Sequence, residues 1–349
     1  MNRMKISHGD TESTETTKGR IRGCSIKTFF YSLWSPCSPC LCVMLLSFVA
    51  ALLCAGCVST LVANALTGSG SSTVFTGDSD PQLVGDALPF AIKMYEALLD
   101  AAPKHQGLMF TTGSLFVMYA NAFVQGPADM LPLEEWQTKD EELARAKKLY
   151  LRGSGILYDA LEAKYKGFQQ AASQEGIAPG ILQPILKKCK KADAGVLYWA
   201  AAGGMAAYSI DILDFELNAR IPEWTAMVER AYELDPDFGG AALDEFFILF
   251  YAALPELLGG DKERAKFHYE RALEKTNGNS AGAYISYAQM LCVPAQDYET
   301  YKECLEKALA IDPDADPSNR LVTTINQRKA RWLLDNAYNY FSFLPFPED

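Results

Sequence analysis

Few residues in this chain stand where chemistry would need them. Beyond residue 56 there are two histidines, His105 and His268. Neither has a second ligand three or four places away, the spacing that puts two metal donors on one helix face. The run S-P-C-S-P-C-L-C holds a C-x-x-C pair, Cys37 and Cys40, with no second pair at zinc spacing. No Walker-type loop and no G-x-S-x-G elbow occurs. Gly203-Gly204 sits in an Ala-rich apolar run and serves helix packing, not a phosphate cradle. Asp211 and Asp214 could in principle share acid and base work, but carboxylates three apart are ordinary on a surface. An enzyme is therefore not expected, and no catalytic residue, metal or cofactor is assigned.

Cys57 is the position whose neighbours point to covalent chemistry. Lys18, Arg20, Arg22 and Lys27 supply positive charge, residues 41–53 are uncharged and mostly apolar, and Cys54-Ala55-Gly56-Cys57 follows. Thirteen apolar residues are too few to span a bilayer, and the pattern is that of an export signal. Small residues before a cysteine resemble a bacterial lipobox, which implies that Cys57 is lipid-modified and becomes the first residue of the mature chain. A plain signal peptide cut near residue 57 is the alternative. Residues 1–56 are thus read as signal peptide with lipobox, 57–84 as a polar, small-residue tether (G-S-G-S-S-T, T-G-D-S-D-P), and 85–345 as the folded body. Cys292 and Cys304 are left either as buried thiols or as one bridge.

The body is globular in composition, with 49% hydrophobic and 21% charged residues in the whole chain. Residues 1–56 hold six Lys and Arg and three Asp and Glu; without them 26 basic residues face 40 acidic ones, a net of −14. That balance argues against nucleic acid as partner. An acidic body on an acyl anchor should stand off an anionic membrane.

The elements that must position everything else are helices. Residues 223–236 (E-W-T-A-M-V-E-R-A-Y-E-L-D-P) return in altered form at 265–277 and 301–313, with the small residue at Ala231, Ala272 and Ala308. The stop falls at Pro236, Asn277 and Pro313, and the spacings are 41 and 36 residues. Ala265, Tyr269 and Ala272 share one helix face. A period of this length marks units that bury their apolar face only by stacking on a neighbour. The pattern resembles the tetratricopeptide repeat (TPR), and the fold expected is all-α. It would comprise stacked antiparallel helical hairpins, about four, and a C-terminal capping helix from about 320 to 340.

Further helices are read over 86–99, with Asp86 as cap and Pro89 in its first turn, over 108–123 up to a Gly126-Pro127 break, and over 134–168 with Thr138 and Glu141 as a capping box. Residues 169–184 read as a loop and 185–192 as a short cationic helix. Two segments, 195–212 and 241–254, are apolar on every side and must be buried all round or line something apolar. In a stack of hairpins the first helices face the concave side. With Phe246 and Leu249 toward the core, Phe247, Phe250 and Tyr284 would face a cleft, together with Trp199 and Tyr208. Either a thick core or a site for an apolar ligand or a partner's segment fits that surplus.

The blocks L-P-F-A-I-K-M-Y-E-A-L-L, T-G-S-L-F-V-M-Y-A-N-A-F, R-A-K-K-L-Y-L-R-G, L-Y-W-A-A-A, E-R-A-Y-E-L-D-P and L-P-E-L-L-G-G-D-K-E-R-A resemble, in that order, the T component associated with TRAP transporters in treponemal lipoproteins. The resemblance spans about residues 86 to 335. It implies a periplasmic, lipid-anchored, TPR-like scaffold that binds the transporter's solute-binding P component and hands over an apolar solute. A homo-oligomer, for instance a trimer, is compatible with it. A stand-alone carrier of a hydrophobic small molecule is the alternative.

Overall fold

The computed structural model describes residues 73–256 and 259–345, and among these there is no strand. Cys57, the signal segment and most of the tether lie outside them. A short helix at Thr73–Thr76 precedes α1, Pro81–Ala101. Asp80, not Asp86, caps α1: its carboxylate accepts from the N–H groups of Gln82 and Leu83, and Pro81 takes the first helical position, where no N–H is needed. Pro89 therefore falls inside the helix, and helical structure reaches into the stretch read as tether.

Helix α2, Gln106–Tyr119, does not stop at Gly126-Pro127. It widens into a π turn at Ala120–Gln125 and continues over Gly126–Asp129. The same device recurs at α9, Ala281–Tyr287, where a π turn at Ala288–Cys292 precedes Val293–Ala295 and Pro294. In both places the wider turn ends two residues before a proline, which can neither donate an N–H nor tolerate the carbonyl four residues back. The α2 segment from Gln106 to Asp129 is apolar and long enough to cross a membrane, but most of it is buried within the protein.

Helix α3, Trp136–Lys164, opens from a 3-10 turn at Leu133–Glu135, so the Thr138–Glu141 box is not formed. The helix runs unbroken through Gly153. A Cβ there would lie 2.6 Å from the Gly113 carbonyl of α2, and one on Gly113 would meet Gly153 and Leu157, so the two backbones touch through glycine. The supposed loop after it contains α4, Phe168–Glu175. Glu175, buried at α4's end, accepts from the N–H groups of Gly180 (2.6 Å) and Leu182 (2.7 Å) and ties the following turn down. The cationic stretch holds only a turn at Gln183–Leu186 and a 3-10 turn at Lys191–Asp193.

The repeated pattern forms α6, Ile221–Leu234, α8, Lys262–Thr276, and α10, Tyr298–Ala310, and Ala231, Ala272 and Ala308 are fully buried. Helix α5, Ala194–Ile210, precedes them, α7, Ala242–Ala253, lies between α6 and α8, and α11, Arg320–Asp335, comes last. Helices pack chiefly on sequence neighbours: α1 on α2, α2 on α3, α3 on α5, α5 on α6, α7 on α8, α9 on α10, α10 on α11. The end also meets the beginning. Leu321 of α11 packs with Val84 and Leu88 of α1, and Arg320 donates to the Gly77 carbonyl at 3.1 Å.

Candidate functional site

The sequence singled out Phe247, Phe250, Tyr284, Trp199 and Tyr208. The register behind the first two is reversed in the structure. Leu243, Phe247, Phe250 and Tyr251 form the buried stripe of α7, at i, i+4, i+7 and i+8, while Leu249 is 44% exposed and Phe246 is half-buried. The reason is that α6 and α8 flank the Phe247–Tyr251 side, which leaves Leu249 to solvent.

Three of the five residues join one aromatic network. Trp199 packs on Tyr198 (5.1 Å between centroids), Tyr198 on Phe246 (6.2 Å), Phe246 on Phe247 (5.8 Å) and Phe250 (6.1 Å). Phe247 then stacks on His268 at 4.8 Å and on Tyr251 at 5.4 Å, with Tyr232 of α6 edge-on at 5.5 Å. Such offset and edge contacts add to what burial alone contributes. Trp199, Tyr198 and Phe246 are half-buried and so present ring surface beyond the core. Tyr284 belongs elsewhere: it is buried with Tyr269 in the C-terminal cluster formed by α9, α10 and α11. Tyr208, near the end of α5, is half-buried against the large core of the N-terminal helices.

Beneath the rings lies a polar knot that sequence reasoning missed. Asp244, fully buried at the start of α7, is 2.7 Å from His268 Nδ1 and 2.7 Å from Lys275 Nζ, both on α8, and accepts from Tyr232 Oη at 3.3 Å. Burial alone would raise its carboxyl pKa; the hydrogen bonds from His268 and Lys275 outweigh this and hold it below the usual carboxylate range. His268 is thus an inter-helix contact. The signal was available: a lone Asp-Glu pair opens an apolar helix, and His268 and Lys275, seven apart, share a face of α8. The neighbouring Glu245 accepts from Ser280 Oγ at 2.6 Å, and burial raises its pKa.

The other candidates for chemistry have structural roles. Lys147 reaches both Asp211 and Asp214 at 2.8 Å, joining α3 to the end of α5, and Asp214 also caps the turn Phe215–Asn218. Cys292 and Cys304 are buried free thiols in one cluster, and Tyr269 Oη lies 3.8 Å from Cys304 Sγ. His105 caps α2 by accepting from the Leu108 N–H. Among the described residues no group of three or more His, Cys, Asp or Glu is placed to hold a metal ion.

Among the described residues the protein is helical throughout, and the side chains singled out for chemistry pack and pair within it. A family model for the TRAP transporter T-component matches residues 77–341. An uncharacterized protein of Treponema pallidum (strain Nichols) is 35% identical over 312 residues, covering 84% of this chain and 96% of the relative. The chain belongs to the TRAP transporter T-component family, whose members are transporter components, not enzymes.

Proposed function

We propose that this chain is the scaffold of a TRAP-type transport system, anchored outside the cytoplasm through an acylated Cys57, and that it binds the system's solute-binding P component. The family membership supports the transport role. Pairwise packing of sequence neighbours, with a fully buried alanine in each of three repeated helices, supports a TPR-like stack of hairpins. Such stacks offer extended surfaces to protein partners. The acidic body fits a tethered position away from an anionic membrane. Self-association, as a trimer for instance, is compatible with this role.

The observation that carries a solute-handling step is the ring surface left half-buried at Trp199, Tyr208 and Phe246, backed by the buried Phe247 and Phe250. Water-exposed rings next to a finished core are what an apolar guest covers. Tyr284, in its separate cluster, has no such role here. A carrier acting without the P component is the second reading, favoured by the same rings. Sedimentation of this chain mixed with the P component of its own system separates the two. A faster joint boundary at about ten micromolar is expected; independent sedimentation at several tens of micromolar would remove the scaffold reading.

A further inference from the structure

A cavity of about 340 Å3 opens between α6, α7 and α8. It lies near the lower end of the roughly 300–1,000 Å3 range of small-molecule sites. A larger hollow of about 640 Å3 at the C-terminal turn, near Tyr338 and Tyr340, has no charged side chain in its wall and so specifies no ligand class.

The floor of the smaller cavity is Phe247, Tyr251 and His268, all buried, with rings stacked near parallel. Tyr232, Glu229, Glu233 and Arg264 form its rim. Each polar member has an unused capacity. The Tyr251 hydroxyl, on a residue only 2% exposed, has no hydrogen-bond partner among the described residues. His268 uses Nδ1 on the Asp244 carboxylate, which can only accept, so the neutral imidazole keeps its Nε2 lone pair for a ligand. Glu233 is held by Arg230 at 2.7 Å, whereas Glu229 makes no ion pair within 4 Å among the described residues. Burial raises the Glu229 carboxyl pKa even with the Arg264 charge opposing it. The Arg264 guanidinium lies 4.0 Å over the Tyr251 ring, with none of its nitrogens in an ion pair within 4 Å among the described residues. One wall therefore offers cationic and hydroxyl donors, the other a carboxylate and an imidazole lone pair, and aromatic faces lie between.

We infer that this cavity binds a small zwitterion of the α-amino acid type. Its carboxylate meets Arg264 and the Tyr251 hydroxyl, its ammonium meets Glu229 and His268 Nε2, and its apolar side chain lies on Tyr232 and Phe247. A purely apolar solute would leave the Arg264 and Glu229 charges at the rim unmatched. A simple amine or a simple carboxylate would match only one wall. This inference does not depend on pairing with the P component.

Calorimetric titration of the full chain with L-leucine and L-phenylalanine tests it, beside isoamylamine and isovalerate as carriers of one charge each. Amino-acid binding with a Kd below about 1 mM is expected, with the single-charge analogues at least about tenfold weaker. Glu229→Gln and Arg264→Gln should each weaken amino-acid binding about tenfold or more. Both side chains are on the surface, so the melting temperature should hardly move. Tyr251→Phe keeps the ring and removes the hydroxyl, and should weaken binding several-fold. The inference is overturned if neither amino acid binds at about 5 mM, if an analogue binds as tightly, or if both charge variants bind like the parent.

Discussion

Helices α5 and α7 carry the same signal in sequence, apolar residues on every side, yet they are buried by opposite means. Toward α3 and α6, helix α5 is sealed by absence of side chain. Ala200, Ala201 and Ala207 are fully buried, and at Gly204 a Cβ would lie 2.2 Å from the Trp224 ring of α6. Helix α7 is buried by rings, Phe247, Phe250 and Tyr251, and a hollow of about 340 Å3 is left beside Phe247 and Tyr251, between α6, α7 and α8. Small residues draw helix axes together and close every gap; flat rings hold them apart, and their edges cannot fill all the space between. Where side chains are small the protein is finished, and where they are aromatic it has room for a guest.

Several substitutions would break or sharpen that contrast. The largest effect is expected for Phe247→Ala, which empties the centre of the ring stack on His268, Tyr251 and Tyr232. Urea unfolding should register a loss of about 3–5 kcal/mol. A loss near 1 kcal/mol would mean that the rings around α7 are not a load on stability. Gly204→Ala comes next, at about 1–3 kcal/mol destabilising, because the added methyl meets a fully buried Trp224. Helix propensity alone predicts the opposite sign, about 1 kcal/mol stabilising, so the direction decides whether α5 is sealed as tightly as described.

Asp244→Asn addresses pH. The folded carboxyl pKa lies below its ordinary value, so its contribution to stability is complete above the unfolded value near 4. That contribution fades as pH falls through the folded value. The variant should lose stability at pH 7 and show a flatter acid limb below about pH 4, read from unfolding midpoints across pH; an unchanged limb would remove Asp244 from the acid transition. The smallest effect is expected for Trp199→Ala, where the ring is half-buried: a loss of about 1 kcal/mol or less. A loss as large as that of Phe247→Ala would make Trp199 core and leave no ring surface for a guest.

Much of the fold was legible. Alanine at positions 231, 272 and 308 foretold buried contacts, because a helix face with a methyl group invites close approach. The apolar segments 195–212 and 241–254 were found as helices to within a few residues. The helix ends were less so. Asp80-Pro81 and Asp86 both look like starts, and only the hydrogen bonds to Gln82 and Leu83 choose between them. Gly126-Pro127 looks like a stop, but a π turn absorbs the proline, and no local pattern announces it. The side of α7 that would be buried could not be read, since nearly every residue from 246 to 251 is apolar and periodicity then carries no phase. That choice came from α6 and α8, which hold Tyr232 and His268. Asp244 was passed over because an acidic residue in a helix's first turn is usually a solvated one; its burial depends on a histidine and a lysine on a different helix.

Native mass spectrometry of the protein extracted from its own membranes tests most directly whether the half-buried rings beside α7 receive an apolar guest. A low-mass apolar species should accompany the wild-type chain and be absent from Trp199→Ser that melts within a few degrees of it. A wild-type chain at its bare mass, or a guest held equally by both, would contradict the account.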